Sequence, residues 1–307
     1  MQSLWMLAAS FLFALMGVCV KLAADSFSTS EIVLVRGVIG MLFVGALIRL
    51  RGGTLKTPLA RHHLWRGAVG VAALWMWFYS ISLLPLATAV TLNYMSPIWI
   101  AVIVFGLGWW RGRAGADWRL AAAIALGFGG VAMLLQPSLQ RGQGLGAAMA
   151  LASGVLAALA YLAVRRLGQM GEPEYRVVFY FSLTGAIAGL AGALWLEPHA
   201  SHGWRLPDVR DALLLAAIGI TATSAQMAMT RAYRLGNTLL TANLQYTGIV
   251  FSSLFGVLIW HDALGPAGWL GIAAILVSGI AATFYNVRGT PPKPVAARFS
   301  PSLKETP

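Results

Sequence analysis

Apolar stretches of about 20 residues, each long enough to cross a bilayer as a helix, alternate with short connections along nearly the whole chain. This alternation limits the possible folds more than any other feature. Charged residues are only 10% of the chain, whereas a soluble globular chain carries about 25%. A chain so poor in charge needs lipid around it, so we predict an all-α membrane protein of ten transmembrane helices. The predicted spans are 3–23, 31–50, 66–84, 88–110, 118–136, 144–164, 175–196, 209–230, 237–260 and 266–286.

Lys and Arg residues are distributed unevenly between alternate connections. If the N-terminus lies in the cytoplasm, most of the 22 Lys and Arg residues fall on cytoplasmic connections, and the other side keeps Arg141, Arg205 and Arg210. Such an excess marks the cytoplasmic side of a membrane protein. We therefore predict a bacterial-type inner-membrane protein with both termini in the cytoplasm. Orientation also explains the net charge of +12, so no nucleic-acid partner is needed.

The two halves of the chain contain matching residues in the same order. Ala9-Ser10 matches Ala152-Ser153, and Glu31 matches Glu174 at the same spacing. Trp118 and Trp269 each precede a glycine-rich helix near the end of their half. The order of these matches indicates an internal duplication.

The duplication predicts two repeats, 3–136 with helices 1–5 and 144–286 with helices 6–10, followed by a disordered cytoplasmic tail, 287–307. Five helices is an odd number, so the second repeat enters the membrane from the opposite side. Inverted repeats of this kind are a hallmark of secondary transporters, in which two equivalent halves open a midplane site to each side in turn. The alternative is simple duplication of a stable bundle.

Several local features accompany the layout of five plus five helices. Arg36 lies in the second span, the short connection 83–90 joins the third and fourth spans, and Ser96-Pro97 lies inside the fourth. With these features, residues 3–286 resemble a two-repeat EamA-type protein of the drug/metabolite transporter superfamily. The resemblance implies alternating-access transport of small metabolites, in the direction of export.

Polar and aromatic side chains inside the predicted spans are candidates for the cargo site, since polar groups in hydrocarbon are costly and usually mark a pathway or join helices. Pro97 has no N–H group, so it frees a carbonyl and can break helix 4 near the midplane. We predict that five of these side chains form hydrogen bonds with the cargo and that three aromatic side chains stack on it. The alternatives are that the amides join helices and that the aromatics anchor at the interface or pack in the core. The predicted hydrogen-bonding residues are Asn93, Tyr94, Gln226, Asn243 and Gln245, and the predicted stacking residues are Trp75, Tyr79 and Tyr246.

Arg36 is a charged residue about five residues into the second predicted helix, where an unpaired charge is costly. One interpretation is an anchor for a carboxylate or phosphate of the cargo. The alternatives are that Arg36 snorkels to the outer interface or pairs with Glu31 or Asp25.

The residues that are absent narrow the function further. None of the ten Asp and Glu residues falls at the middle of a predicted span, whereas exchange of a cationic drug for a proton needs such a group. We therefore expect a neutral, zwitterionic or weakly anionic cargo, such as an amino acid.

No Walker-type motif, metal-ligand cluster or hydrolase motif occurs, so we expect no ATPase subunit, cofactor, metal or enzymatic activity. The predicted partners are a small-molecule substrate and the bilayer, and the sequence implies no particular oligomeric state. The alternatives are an importer of a similar solute and, from another class, a scaffold or enzyme of the membrane.

Overall fold

The computed structural model describes residues 2–23, 26–84, 86–110, 118–136, 142–195, 207–261 and 264–289, and these residues are almost entirely helical. Twelve α-helices lie within them, and no described residue is in a strand. The helices are α1 (Trp5–Ala23), α2 (Thr29–Arg51), α3 (Ala60–Leu83), α4 (Leu86–Asn93), α5 (Ser96–Trp110), α6 (Trp118–Leu135), α7 (Gly144–Gln169), α8 (Glu174–Trp195), α9 (Val209–Leu235), α10 (Thr238–Leu244), α11 (Thr247–Trp260) and α12 (Pro266–Gly289).

The predicted all-α membrane architecture is confirmed. Nine segments of the described chain are long and apolar enough to cross a bilayer, when α4–α5 and α10–α11 each count as one crossing. The remaining crossing is α3, whose 24 residues reach about 36 Å at 1.5 Å per residue. Its first turns contain Arg61, His62, His63 and Arg66, which lower the hydropathy of that end of the helix.

Several helices extend beyond their predicted spans. The third begins at Ala60 instead of residue 66, and α7 and α9 continue to Gln169 and Leu235 instead of residues 164 and 230. The added turns carry Arg and His, which suit the polar interface, and hydropathy detects only the apolar part of a helix. The fourth and ninth predicted spans each consist of two helices.

Helices from the two repeats pack against each other in a symmetric pattern. Among the ten membrane crossings, α1 and α9 are the first and the eighth. Their counterparts in the other repeat are the sixth and the third crossings, which are α7 and α3. The contact of α1 with α9 is therefore equivalent to the contact of α7 with α3. The contacts of α2 with α8 and of α6 with α12 map onto themselves. This is the packing of two repeats related by a pseudo-twofold axis.

The contact between α6 and α12 depends on glycine. A Cβ atom on Gly130 would lie 2.7 Å from the carbonyl oxygen of Gly271, and one on Gly271 would lie 2.5 Å from that of Gly130. Small residues let membrane helices approach this closely, and close packing replaces the hydrophobic effect as the stabilising force in lipid.

Candidate functional site

The fourth span breaks between α4 and α5. α4 ends at Asn93, and α5 begins at Ser96, directly before Pro97. Pro97 cannot donate to the carbonyl of Asn93. This carbonyl and that of Leu92 face α7 at Gly154, where a Cβ atom would lie 3.0 Å and 3.2 Å from the two oxygens. Glycine at position 154 therefore lets α7 lie against the broken backbone.

The ninth span breaks at the equivalent place without a proline. The N–H groups of Gln245 and Tyr246 donate to the carbonyls of Ala242 and Asn243, three residues back. Thr247 Oγ1 donates to the carbonyl of Leu244 at 2.7 Å. These tight turns replace the α-helical hydrogen bonds, so each repeat contains one interrupted helix, as transporter cargo sites do.

Matching serines of the two repeats lie beside these breaks. Ser153 on α7 accepts a hydrogen bond of 2.8 Å from Asn93 Nδ2. A Cβ atom on Gly248, at the second break, would lie 3.7 Å from Cβ of Ser10 on α1. The helix that supports each break therefore belongs to the other repeat.

Gln245 joins two aromatic side chains at the second break. Its Nε2 donates to the hydroxyl of Tyr161 at 3.2 Å, and its Oε1 accepts from the hydroxyl of Tyr233 at 3.3 Å. The rings of Tyr161 and Tyr233 are stacked with centroids 5.4 Å apart. This cluster holds the side chain of Gln245 at a fixed place between α7 and α9.

A small cavity lies between α2, α3, α8 and α9, and Arg36 and Gln226 contribute to its wall. About 20 Å³ is open to the centre of a water molecule, which is room for about one or two waters. In this conformation the cavity is thus too narrow for a metabolite. Its wall is Val33, Arg36, Gly37, Val71, Leu74, Phe181, Ser182, Gly185, Ala222, Thr223 and Gln226.

Phe181 in the wall of the cavity contacts two cations. The guanidinium carbon of Arg36 lies 5.8 Å from the centroid of the Phe181 ring, and that of Arg66 lies 4.1 Å from it. Arg66 is 3% exposed, and its Nε and Nη1 find no hydrogen-bond partner among the described residues. Tyr161 lies near enough to Arg66 for an electrostatic interaction, so the cavity and the Gln245 cluster are neighbours.

Arg36 is not paired with Glu31, one of the partners considered above. The Glu31 carboxylate accepts from the backbone N–H of Ser28 at 2.8 Å, and Ser28 accepts from the N–H of Glu31, in a capping box that starts α2. No acidic residue in the described part of the chain forms an ion pair with Arg36. Asp25 lies outside the described residues.

The remaining predicted amides join helices. Asn93 binds Ser153 as described. Asn243 Oδ1 accepts from Ser278 on α12 at 2.8 Å, while Ser278 also reaches the carbonyl of Ala123 on α6. Asn243 is 2% exposed and does not line the cavity. Its place therefore favours the helix-joining alternative.

The predicted aromatic residues lie apart from one another. Tyr246 is fully buried against Gly127, and Trp75 is half-buried against Gly192. Tyr79 is 51% exposed and so lies at the surface of the bundle. Tyr94 packs beside the second break, with its hydroxyl 3.7 Å from a Cβ atom placed on Gly248.

A cluster around Glu172 lies at the face of the bundle that is predicted to be cytoplasmic. The Glu172 carboxylate is 3% exposed and accepts from Thr57 Oγ1 at 2.5 Å and from Arg176 Nη1 at 3.0 Å. His63 Nε2 lies 3.3 Å away, in electrostatic contact without hydrogen-bond geometry. Burial opposes ionisation, but the bonds from Thr57 and Arg176 and the positive charge of Arg176 hold the pKa of Glu172 below its usual value.

Two further contacts belong to the same face. Arg176 donates to the carbonyl of Thr54 through Nε and Nη2, and Tyr180 donates to that of Leu55 at 2.9 Å. Arg234 at the end of α9 pairs with Glu174 at 2.9 Å. The bonds from Arg176 and Tyr180 tie the segment 52–59 to α8, and the pair of Arg234 with Glu174 joins α9 to α8.

Two interrupted helices, a pseudo-twofold pair of repeats and a polar cluster beside a central cavity define a multi-pass membrane transporter. The sequence profile of the EamA-like transporter family matches residues 1–136 and 144–284. The chain belongs to this family, and it is a transporter of small molecules, not an enzyme.

Several known proteins are similar to this chain. The pseudopaline exporter CntI of Pseudomonas aeruginosa is 32% identical over 279 residues, which cover 88% of this chain and 92% of that protein. A riboflavin transporter of Vibrio cholerae is 25% identical over 283 residues, with 90% of each chain covered. A solved crystal structure superposes with a TM-score of 0.78 at 21% identity, over 92% of this chain and 98% of that one. The last likeness supports the fold.

Proposed function

We propose that this transporter exports a small polar metabolite of the amino-acid type across a bacterial inner membrane by alternating access. The observation that carries the proposal is the pair of helix breaks, which lie at equivalent places in the two repeats. Interrupted helices leave free backbone groups where the chain lines a cavity, and such groups bind cargo in secondary transporters. Gln245 lies in the second break, and Gln226 lies in the wall of the adjacent cavity.

Alternating access needs two states of the transporter, one open to the cytoplasm and one open to the other side of the membrane. The bonds around Glu172 tie the predicted cytoplasmic end shut in the state described above. We propose that they break when the two five-helix halves rock, and that the cavity then widens toward the cytoplasm. Both termini would lie on that side, as the distribution of Arg residues predicts.

Export rather than uptake is supported by the similarity to CntI, which is an exporter by name. Cells that overproduce the transporter and are preloaded with labelled cargo should lose label faster than cells without it. Faster accumulation from the medium, with no faster loss, would instead favour the importer.

Counterflow in proteoliposomes tests the carrier mechanism and the cargo class together. Vesicles with purified protein are loaded with an unlabelled amino-acid pool and challenged with each labelled amino acid. A transient accumulation of one class shows a site that cycles between the two sides, whereas a channel gives no accumulation. Gly45→Ala, where a Cβ atom meets nothing within 4 Å, serves as the control and should match the wild type. Absence of counterflow for every amino acid would contradict the proposed cargo class.

A further inference from the structure

Arg66 is directed into the bundle instead of toward the nearer helix end. A Cβ atom on Gly70 would clash with Nη1 of Arg66, so the guanidinium lies about one turn further along α3 than its own Cα. A snorkelling arginine extends toward the interface, which here would mean toward Ala60, where α3 begins. The direction of the side chain therefore indicates an interior role for Arg66.

Arg36 and Arg66 come together although they have the same charge. Both guanidinium groups contact the ring of Phe181, at 5.8 Å and 4.1 Å from its centroid. Their separation therefore cannot exceed the sum of these two distances. Like charges this close in a medium of low dielectric constant repel each other, and the face of one aromatic ring offsets only part of that repulsion.

No acid in the described part of the chain neutralises the pair. The acids that are described lie at or directly before the first turn of a helix, and none of them lines the cavity: Glu31, Glu172, Glu174, Asp208 and Asp211. Glu31, Glu172, Glu174 and Asp208 also have partners in caps or ion pairs. The positive charge at the cavity thus has no counter-charge from these residues.

Gln226 adds a third unused donor. It is 5% exposed, it lines the cavity with Arg36, and its Nε2 has no partner among the described residues. Buried donors without acceptors are costly. Three such donor atoms, Arg66 Nε, Arg66 Nη1 and Gln226 Nε2, lie near the Arg36 guanidinium, and a ligand rich in acceptors would match them. Carboxylates supply such acceptors together with the missing negative charge.

We propose that Arg36 and Arg66 form a clamp for a small organic anion with two carboxylates, with Gln226 as an additional neutral donor. In a state in which the cavity has widened, one carboxylate binds Arg36 and Gln226 there. The second reaches Arg66 beside Phe181, next to Tyr161 and the second helix break. That the anion is cargo rests on the proposed transport function, whereas binding of the anion can be measured without transport.

The test measures binding by the purified protein in detergent, at constant ionic strength. The probes are glutarate and L-glutamate, and L-glutamine is the matched ligand with one carboxylate. Both probes are called dianions for their two carboxylates, although the ammonium group of L-glutamate leaves it a net charge of −1. We expect the two dianions to raise the melting temperature and to compete for one site, and L-glutamine to bind at least tenfold more weakly. Arg36→Gln and Arg66→Gln should each weaken dianion binding by about 10- to 100-fold, the loss of one or two charge-assisted hydrogen bonds.

Two controls separate the clamp from folding effects. Arg231 contacts the ring of Trp5 at 5.0 Å and is not part of the cavity wall, so Arg231→Gln removes one cation and should leave dianion binding unchanged. Gly70→Ala keeps both charges but displaces the Arg66 guanidinium, and it should weaken binding. Gly45→Ala, where a Cβ atom meets nothing within 4 Å, should not.

Melting without ligand distinguishes a binding role of Arg66 from a structural one. Because the charge of Arg66 lacks a counter-charge, Arg66→Gln should melt at the same temperature as the wild type or higher. A large drop in melting temperature together with unchanged dianion affinity would overturn the proposal. Equal binding of L-glutamine and the dianions, or no binding of either dianion to the wild type, would also overturn it.

Transport and the clamp can fail independently. Counterflow of L-glutamate at the wild-type rate in the double variant Arg36→Gln, Arg66→Gln would support the carrier and overturn the clamp. Arginine-dependent dianion binding without counterflow would support the clamp and contradict the proposed carrier.

Discussion

Replacing Glu172 by Gln is expected to loosen the contacts that close the predicted cytoplasmic face. The Glu172 carboxylate is the shared acceptor of Thr57 and Arg176, and it links the segment 52–59 to the start of α8. A glutamine has almost the same shape but no charge. The substitution therefore tests the electrostatic part of these contacts and leaves the packing in place.

The size of the effect follows from the three hydrogen bonds that the carboxylate accepts, one from Thr57 and two from Arg176. A hydrogen bond to a charged group contributes about 1.5–3 kcal/mol, and a neutral one about 0.5–1.5 kcal/mol. Glutamine makes the Thr57 bond neutral and replaces one of the two oxygens that accept from Arg176 by an amide nitrogen that cannot accept. We expect these changes to cost the closed state about 2–3 kcal/mol in total. At about 1.4 kcal/mol per factor of ten, the open form of this segment should become roughly 30- to 150-fold more populated.

Hydrogen exchange of the backbone amides in the segment 52–59 measures this opening. Glu172→Gln should exchange faster in this segment by the factor above, and exchange in α6 and α12 should not change. Glu174→Gln is the matched control, since it removes a neighbouring carboxylate whose partner is Arg234 and not the segment 52–59. Unchanged exchange in Glu172→Gln, or equal acceleration by both variants, would refute the reasoning.

Three further predictions follow from contacts of the fold and site. The pKa of Glu172 is held below its usual 4.5, so the contribution of Glu172 to the closed state is complete above pH 4.5 and is lost as the pH falls through the lower pKa of the folded state. Hydrogen exchange of the segment 52–59 should therefore rise at that low pH in the wild type but not in Glu172→Gln. Gly130→Ala should lower the free energy of unfolding by about 1–3 kcal/mol by pushing against Gly271, while Gly129→Ala, with nothing within 4 Å of its Cβ, should be close to neutral in a denaturation assay. Gln245→Leu should slow counterflow about tenfold or more, because both hydrogen bonds to the tyrosines are lost; wild-type flux would contradict a role of the second break.

Hydropathy and charge were sufficient to predict the membrane architecture, because the bilayer imposes a minimum length of apolar helix and lets few charges into it. The duplication was visible in matches such as Ser10 with Ser153, and these two serines lie beside the two helix breaks. The break near Pro97 had a local signal. The break at Gln245 had none, since tight turns and the Thr247 hydroxyl replace the role of a proline there.

The arginine pair could be predicted only in part. Arg36 was recognisable as a charge inside an apolar span, but Arg66 lies at the predicted end of one, where arginine is common. Gly70, one turn further on, is the signal in the sequence that the side chain has room to fold inward. Phe181 and Tyr233 could not be singled out, because a sequence pattern cannot show which apolar ring of a helix faces a distant cation or amide.

Accessibility of the cavity from each side of the membrane is the most direct test of alternating access. Gly185 lines the cavity, and a Cβ atom there meets nothing within 4 Å, so Gly185→Cys should fit in a variant that lacks Cys19, the single native cysteine. A membrane-impermeant maleimide is then applied to vesicles of both orientations. The account predicts labelling mainly from the outer side, a shift toward the cytoplasmic side when Glu172→Gln is added, and protection by bound cargo. Equal labelling from both sides under all conditions, or no change with Glu172→Gln and cargo, would contradict it.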